Sequence, residues 1–194
     1  SLGSVSLAAG QSGTLSFGAA ATLSGAADLQ GGTISLAGTF TAAGITTAAG
    51  TALNGGASTI NVMGAPLNLA ASTFSGTGTW NLTNVNTVTT NANTLSTLTV
   101  NHTGTTQLAD PLFVGTGGLT LGTGTLDWSG NAITVNGPAN FSGGAFTGTS
   151  TLNLTGTGTL TTGDKTFQDV AIPSGATTVS GRLLPAPLTL SVGA

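Results

Sequence analysis

Residues whose side chains could do chemistry are few in this sequence, and they are widely separated. The complete set of ionisable side chains is Asp28, His102, Asp110, Asp127, Asp164, Lys165, Asp169 and Arg182. Glutamate and cysteine are absent, which excludes thiolate catalysis and disulfides. Glycosidase or lyase chemistry needs several acids and bases on one face. We therefore predict that the chain is not an enzyme and assign no catalytic residue.

The single histidine is a poor candidate for a metal ligand. A zinc site needs three or four protein ligands, and the carboxylate nearest to His102 in the sequence, Asp110, lies beyond an expected turn. We interpret His102 as a loop residue and predict neither a metal site nor a cofactor. Asp164, Lys165 and Asp169 form the only local group of charges, which we interpret as a solvated turn with a local ion pair.

The scarcity of charge excludes several kinds of partner. Charged residues make up 4% of the 194, against roughly 25% in an ordinary globular domain. Two cations cannot form the basic stripe that binding to nucleic acid requires. Hydrophobic residues make up 39%, but Thr, Ser, Asn and Gly interrupt every window long enough for a membrane-spanning helix. We therefore expect a chain that buries a core, binds no nucleic acid and does not insert into a membrane.

Pairs of the form apolar-x-apolar recur along the chain and predict short β-strands, since alternate side chains of a strand share one face. The pairs are Ile60/Val62, Trp80/Leu82, Leu98/Val100, Leu119/Leu121, Ile133/Val135, Leu152/Leu154, Val170/Ile172 and Leu188/Leu190. Their first members are on average about 18 residues apart. Gly, Asn, Ser and Pro occupy the spaces between them, as turns require.

A longer internal repeat relates residues 68–100 to residues 140–172, a shift of 72 without a gap. Large hydrophobic residues stay in register across it, as Trp80 with Leu152, Val88 with Leu160 and so on. Strands in a sandwich usually recur every 8–12 residues, whereas one coil per ~18 residues fits a β-solenoid. We predict an all-β, single-stranded parallel β-helix of about 18 residues per coil. It would form one domain over residues 1–194, irregular in 1–59 and regular in 60–194.

Two segments carry a resemblance to a known group of proteins. Residues 118–126 (GLTLGTGTL) and 166–172 (TFQDVAI) are similar to repeats of large secreted bacterial surface proteins, the autotransporter-type and filamentous-haemagglutinin-like adhesins. The resemblance covers about residues 60–194 and rests on degenerate repeats. It implies a right-handed β-helix, an extracellular location at the cell surface, and a role in adhesion, scaffolding or fibre formation. It brings no catalytic residues.

The ends of the sequence suggest how such a rod would act. An open solenoid has unpaired strand edges, which template further pairing unless they are capped, and neither terminus here is charged. We predict a secreted structural protein that stacks end to end, with itself or with neighbouring repeats of a longer chain, into a surface fibre or stalk. An adhesin segment that binds host or surface glycans is one alternative.

Ice binding is a second alternative, because ladders of outward Thr-x-Thr pairs can order water. Three triplets have this local form: Thr87-Val88-Thr89, Thr97-Leu98-Thr99 and Thr149-Ser150-Thr151. They do not recur once per coil at a constant phase, as a regular ice-binding face would require. The sequence therefore favours a structural protein that stacks end to end over an ice-binding protein.

Overall fold

The structure of the chain, a computed structural model, is a parallel β-solenoid. It describes residues 2–70, 72–173 and 177–182, and the backbone of 184–192. These residues form strands, turns and corners, without a helix among them. About nine turns of ~20 residues stack on one another, which confirms the predicted fold class.

Each turn contributes strands to three faces, which we name A, B and C in the order in which the chain meets them. Face A contains β1 (Val5–Leu7), β4 (Ala27–Leu29), β7 (Ile45–Thr47), β10 (Leu67–Asn68), β13 (Thr87–Thr89) and β18 (Ala145–Thr147). Face B contains β2 (Thr14–Phe17), β5 (Thr33–Leu36), β8 (Ala52–Gly56), β11 (Thr73–Gly76), β16 (Ile133–Val135) and β19 (Thr151–Leu154). Face C contains β3 (Ala21–Thr22), β6 (Thr39–Ala42), β9 (Thr59–Met63), β12 (Thr79–Thr83), β17 (Ala139–Asn140), β20 (Gly158–Thr161) and β22 (Thr177–Ser180).

Four longer strands run round corners and belong to more than one face. These are β14 (Thr94–Leu108), β15 (Leu112–Asp127), β21 (Thr166–Ile172) and β23 (Leu184–Val192). The first two pass from B through C to A, and the last two pass from A to B. Because they connect the faces, most strands join one 19-stranded sheet, while β2, β5, β8 and β11 form a separate sheet of four.

Every strand pairs in parallel with the strand one turn before or after it. On face C, for example, Phe40 lies opposite Ile60, Ile60 opposite Trp80, and Trp80 opposite Leu98. The side chains therefore stack in columns along the rod. Inward positions of each strand alternate with outward ones, as the period of two requires.

The apolar pairs seen in the sequence lie on two different faces. Ile60, Trp80, Leu98 and Leu119 follow one another on face C, whereas Ile133, Leu152 and Val170 follow one another on face B. The short step from Leu119 to Ile133 therefore passes from one face to the next within a turn. Counting it as a full coil lowered the mean spacing to about 18, below the ~20 residues of a turn.

The 72-residue repeat likewise matches strands on different faces. Trp80 lies in β12 on face C, and its counterpart Leu152 lies in β19 on face B. The repeat is therefore similarity between strands rather than a unit of whole turns. Since each strand needs the same inward apolar pair, strands on different faces resemble one another.

The core is a narrow apolar interior along the whole rod. Its largest fully buried side chains include Trp80, Phe141 and Phe167, and Phe141, Phe146 and Phe167 contact one another with ring centroids 4.8–5.7 Å apart. The buried polar residues among those described are all Ser or Thr. Burying each large side chain contributes roughly 1.5–3 kcal/mol, and these side chains are spread over successive turns.

Candidate functional surface

His102 lies within β14, where this strand turns the corner from face C to face A. The loop position predicted for it was therefore wrong, because the strand continues round the corner: Asn101 and Thr105 still pair with Thr123 and Thr125 of the next turn. The residue is half-buried, and its Nδ1 accepts a hydrogen bond from the backbone N–H of Gly104 at 2.6 Å. Within the described residues, no three His, Cys, Asp or Glu side chains are grouped so that they could hold a metal ion.

Asp110 connects two turns at the corner between faces A and B. Its carboxylate accepts hydrogen bonds from the backbone N–H of Thr90 at 2.8 Å and from that of Asn91. Asn91 and Ala92 have positive φ angles of 51° and 60°, a conformation that costs energy for residues other than glycine. The carboxylate thus holds a strained corner of the turn below.

The charges between residues 164 and 169 are divided between two places. Asp164 is exposed in a turn between faces C and A, with a φ of 57°, and its Oδ1 accepts from the backbone N–H of Arg182 in the next turn at 3.3 Å. Lys165 follows it and donates its backbone N–H to the carbonyl of Thr162 at 3.2 Å. Asp169 lies in β21 on face B, opposite Thr151 and Thr189. Asp164 and Lys165 therefore make hydrogen bonds at a corner, whereas Asp169 belongs to a strand.

Face C presents a regular outward array of uncharged polar side chains, which we name the C-face array. One column of it contains Thr22, Thr41, Asn61, Asn81, Thr99, Thr120, Asn140, Thr161 and Ser180. A second column, two residues earlier in each strand, contains Thr39, Thr59, Thr79 and Thr97, and resumes at Thr159 and Thr178. Gly118, opposite Thr97, and Pro138 in the following turn interrupt the second column. The two columns run along the rod side by side.

Side-chain hydrogen bonds hold part of the C-face array in place. Nδ2 of Asn81 donates to Oδ1 of Asn61 at 2.9 Å, and Nδ2 of Asn61 donates to Oγ1 of Thr41 at 3.1 Å. Three successive turns are thereby linked across the surface. The strands beneath it pair from Thr39 to Val100 on this face without a register shift.

The other two faces lack such an array because their outward residues vary in type. Face A presents Asp28, Gln107 and Asp127 among its Thr and Asn residues. Face B presents Phe113 and Asp169. On face B these residues follow four turns of small, uncharged outward residues, Thr14/Ser16, Thr33/Ser35, Ala52/Asn54 and Thr73/Ser75. Among the described residues, face C carries the longest uncharged polar column, from Thr22 to Ser180.

The three Thr-x-Thr triplets found in the sequence are not members of one ladder. Thr87–Thr89 is β13 on face A, Thr97–Thr99 lies on face C, and Thr149–Thr151 leads from a corner into β19 on face B. The triplets therefore do not recur once per turn at a constant phase, as the sequence indicated. Counting Thr-x-Asn as equivalent, as in Thr59-Ile60-Asn61 and Thr79-Trp80-Asn81, would have revealed the array.

These features define the class of the protein as a three-sided parallel β-solenoid with a long array of uncharged polar side chains on one face. No helix in the described part of the chain has the length and apolar character needed to cross a membrane. No protein-family model, curated protein or solved structure matches the chain.

Proposed function

We propose that this chain is an extracellular structural protein, a rod that builds a surface fibre or stalk by end-to-end stacking of solenoid turns. The observation that carries the proposal is the unpaired outer edge of the first described turn. Within the described residues, the strands of the first turn, β1, β2 and β3, pair only with the turn above them. Their outer edges have free N–H and C=O groups, which template the addition of another strand.

Apolar side chains at the first turn support this proposal. Leu2 is 56% exposed, and Leu7, Leu15 and Phe17 are half-buried, although they continue columns that are fully buried in later turns. At the other end, Val179 is 39% exposed, although it continues a column on face C. A further turn, from a second copy or from neighbouring repeats, would bury these side chains and continue the core.

The low charge of the interior and surface suits such stacking. Identical side chains on successive turns lie about 4.8 Å apart, so like charges in a column would repel. The resemblance of residues 118–126 and 166–172 to repeats of secreted bacterial surface proteins gives a further reason to place the rod outside the cell.

Concentration-dependent assembly tests the proposal. We expect sedimentation velocity of the purified chain to show larger species as the concentration rises, and negative-stain microscopy to show filaments of constant width. Leu7→Lys would place a charge on the end surface of the first turn and should abolish the larger species. Thr46→Lys, which adds the same charge to an outward position of face A in the third turn, away from the end surface, is the matched control and should assemble normally.

Two results would overturn the proposal. One is a wild-type protein that stays strictly monomeric at the highest concentration and forms no filaments. The other is equal loss of assembly in both lysine variants, which would indicate association through the sides of the rod.

A further inference from the structure

The C-face array lies on the side of the rod, and end-to-end stacking neither uses nor covers it. Its most regular part comprises four successive turns with two outward residues each: Thr39/Thr41, Thr59/Asn61, Thr79/Asn81 and Thr97/Thr99. Most of these side chains are half-exposed. The surface therefore offers rows of hydroxyl and amide groups to whatever lies against it.

Two fixed spacings govern the C-face array. Outward side chains two residues apart along a strand are about 6.7 Å apart, and neighbouring turns are about 4.8 Å apart. Hydroxyl and amide groups thus repeat in two dimensions. A ligand that matches this surface over several turns must itself repeat in two dimensions.

The chemistry of the array restricts the ligand further. Its members are Thr, Asn and a terminal Ser, without a charged residue, so an ionic ligand would gain nothing from it. No aromatic side chain points outward from these strands, since Phe40 and Trp80 are buried in the core. Aromatic faces are what usually supply large contact area at binding surfaces, which makes a crystalline polysaccharide a poor fit.

Ice is a neutral, two-dimensionally periodic ligand with only hydrogen-bonding groups. The Thr hydroxyls can donate to and accept from water molecules, while the Thr methyl groups keep neighbouring water in ordered positions between them. The hydrogen bonds from Asn81 to Asn61 and from Asn61 to Thr41 fix the side chains before binding. Little conformational entropy would then be lost on contact, which favours binding by a preorganised surface.

We propose that the C-face array is an ice-binding surface. Contact would occur side-on, with the axis of the rod parallel to the ice surface. Because it uses the side of the rod, the binding is independent of end-to-end stacking, and either property can fail without the other.

Ice affinity of the full-length chain tests the proposal. We expect thermal hysteresis and faceted ice crystals in a nanolitre osmometer, together with inhibition of ice recrystallisation. Thr79→Tyr, in the centre of the array, should lose most of the hysteresis because the bulky ring prevents close approach of a lattice. Thr33→Tyr is the matched control, since Thr33 is the first outward residue of β5 on face B and is equally half-exposed; it should retain the hysteresis.

Circular dichroism of both variants must show wild-type spectra and melting temperatures for the comparison to be valid. If either variant misfolds, Thr79→Lys and Thr33→Lys provide a second matched pair. The proposal is overturned if the wild-type protein neither shapes ice nor lowers the freezing point at high concentration. It is also overturned if the face B variant loses as much activity as the face C variant, or if the protein sediments with crystalline cellulose but not with ice.

Discussion

Individual polar residues in this rod serve to join one turn to the next. Asn93 illustrates the pattern: its Nδ2 donates to the carbonyls of Ser72 and Thr90, and its Oδ1 accepts from the backbone N–H of Phe74. One side chain thereby satisfies three backbone groups at a corner, where the strand ladder is interrupted. Such groups would otherwise be left unpaired at a cost.

The carboxylate of Asp110 has the same role, and its removal should therefore destabilise the fold. We expect Asp110→Ala to lower the free energy of unfolding by about 1–3 kcal/mol, since two backbone N–H groups lose a charged acceptor. Urea denaturation followed by circular dichroism measures the change. Asp28→Ala is the control, because Asp28 is an exposed carboxylate that accepts a hydrogen bond from the side chain of Gln30; it should change stability little. Equal effects in the two variants would contradict a corner-capping role for Asp110.

At the scale of the strand, the interior is a set of columns in which the size of each side chain matters more than its polarity. Trp80 illustrates this in β12, where it is fully buried between Ile60 and Leu98 and packs edge-on against Phe74 with ring centroids 5.1 Å apart. Its Nε1 is buried without a hydrogen-bond partner. An unpaired buried donor is destabilising, so Trp80 stabilises the fold through the volume that it fills.

Substitution of Trp80 should separate the stabilisation due to its volume from the cost of its unpaired Nε1–H. Trp80→Ala leaves a large cavity and should cost about 3–5 kcal/mol. Trp80→Phe removes the unpaired N–H while it keeps most of the packing, and should therefore stay within about 1 kcal/mol of the wild type. Chemical denaturation of both variants is the measurement. A loss in Trp80→Phe as large as in Trp80→Ala would indicate that the indole N–H has a partner, such as a buried water.

At the scale of the whole molecule, each turn is stabilised by its neighbours. A turn in the middle of the rod pairs on both sides, and β12, for instance, pairs with β9 below and with β14 above. A terminal turn pairs on one side only. Stability in such a stack is approximately a sum of repeat and neighbour terms.

Hydrogen exchange should therefore be graded along the rod. We expect amides of β12, β14 and β15 to exchange most slowly and those of β1, β2 and β3 to exchange most rapidly. The first described turn pairs on one side only, and its apolar side chains are half-exposed. Exchange monitored by mass spectrometry of peptides would reveal the gradient. If the proposed stacking occurs, protection of β1–β3 should rise with protein concentration. Uniform exchange in all turns would contradict the prediction that the first turn is less stable than the central ones.

The sequence by itself was sufficient to predict the β-solenoid. Alternation of apolar and polar residues specifies which side chains of a strand point inward, as at Trp80 and Leu82, because that alternation is local. The corner roles of Asp110 and Asn93 could not be predicted, since their partners lie about 20 residues away.

Only the tertiary structure decided which face each strand joins, and hence where the C-face array lies. The corners differ in length: Val5 pairs with Ala27, 22 residues on, whereas Ala27 pairs with Ile45, 18 residues on. A fixed spacing in the sequence therefore drifts from one face to another, as it does between Leu119 and Ile133. The strand pattern is local and could be predicted from the residues, but the register between turns is set by hydrogen bonds and packing between distant segments, and it is this register that aligns Thr41, Asn61 and Asn81.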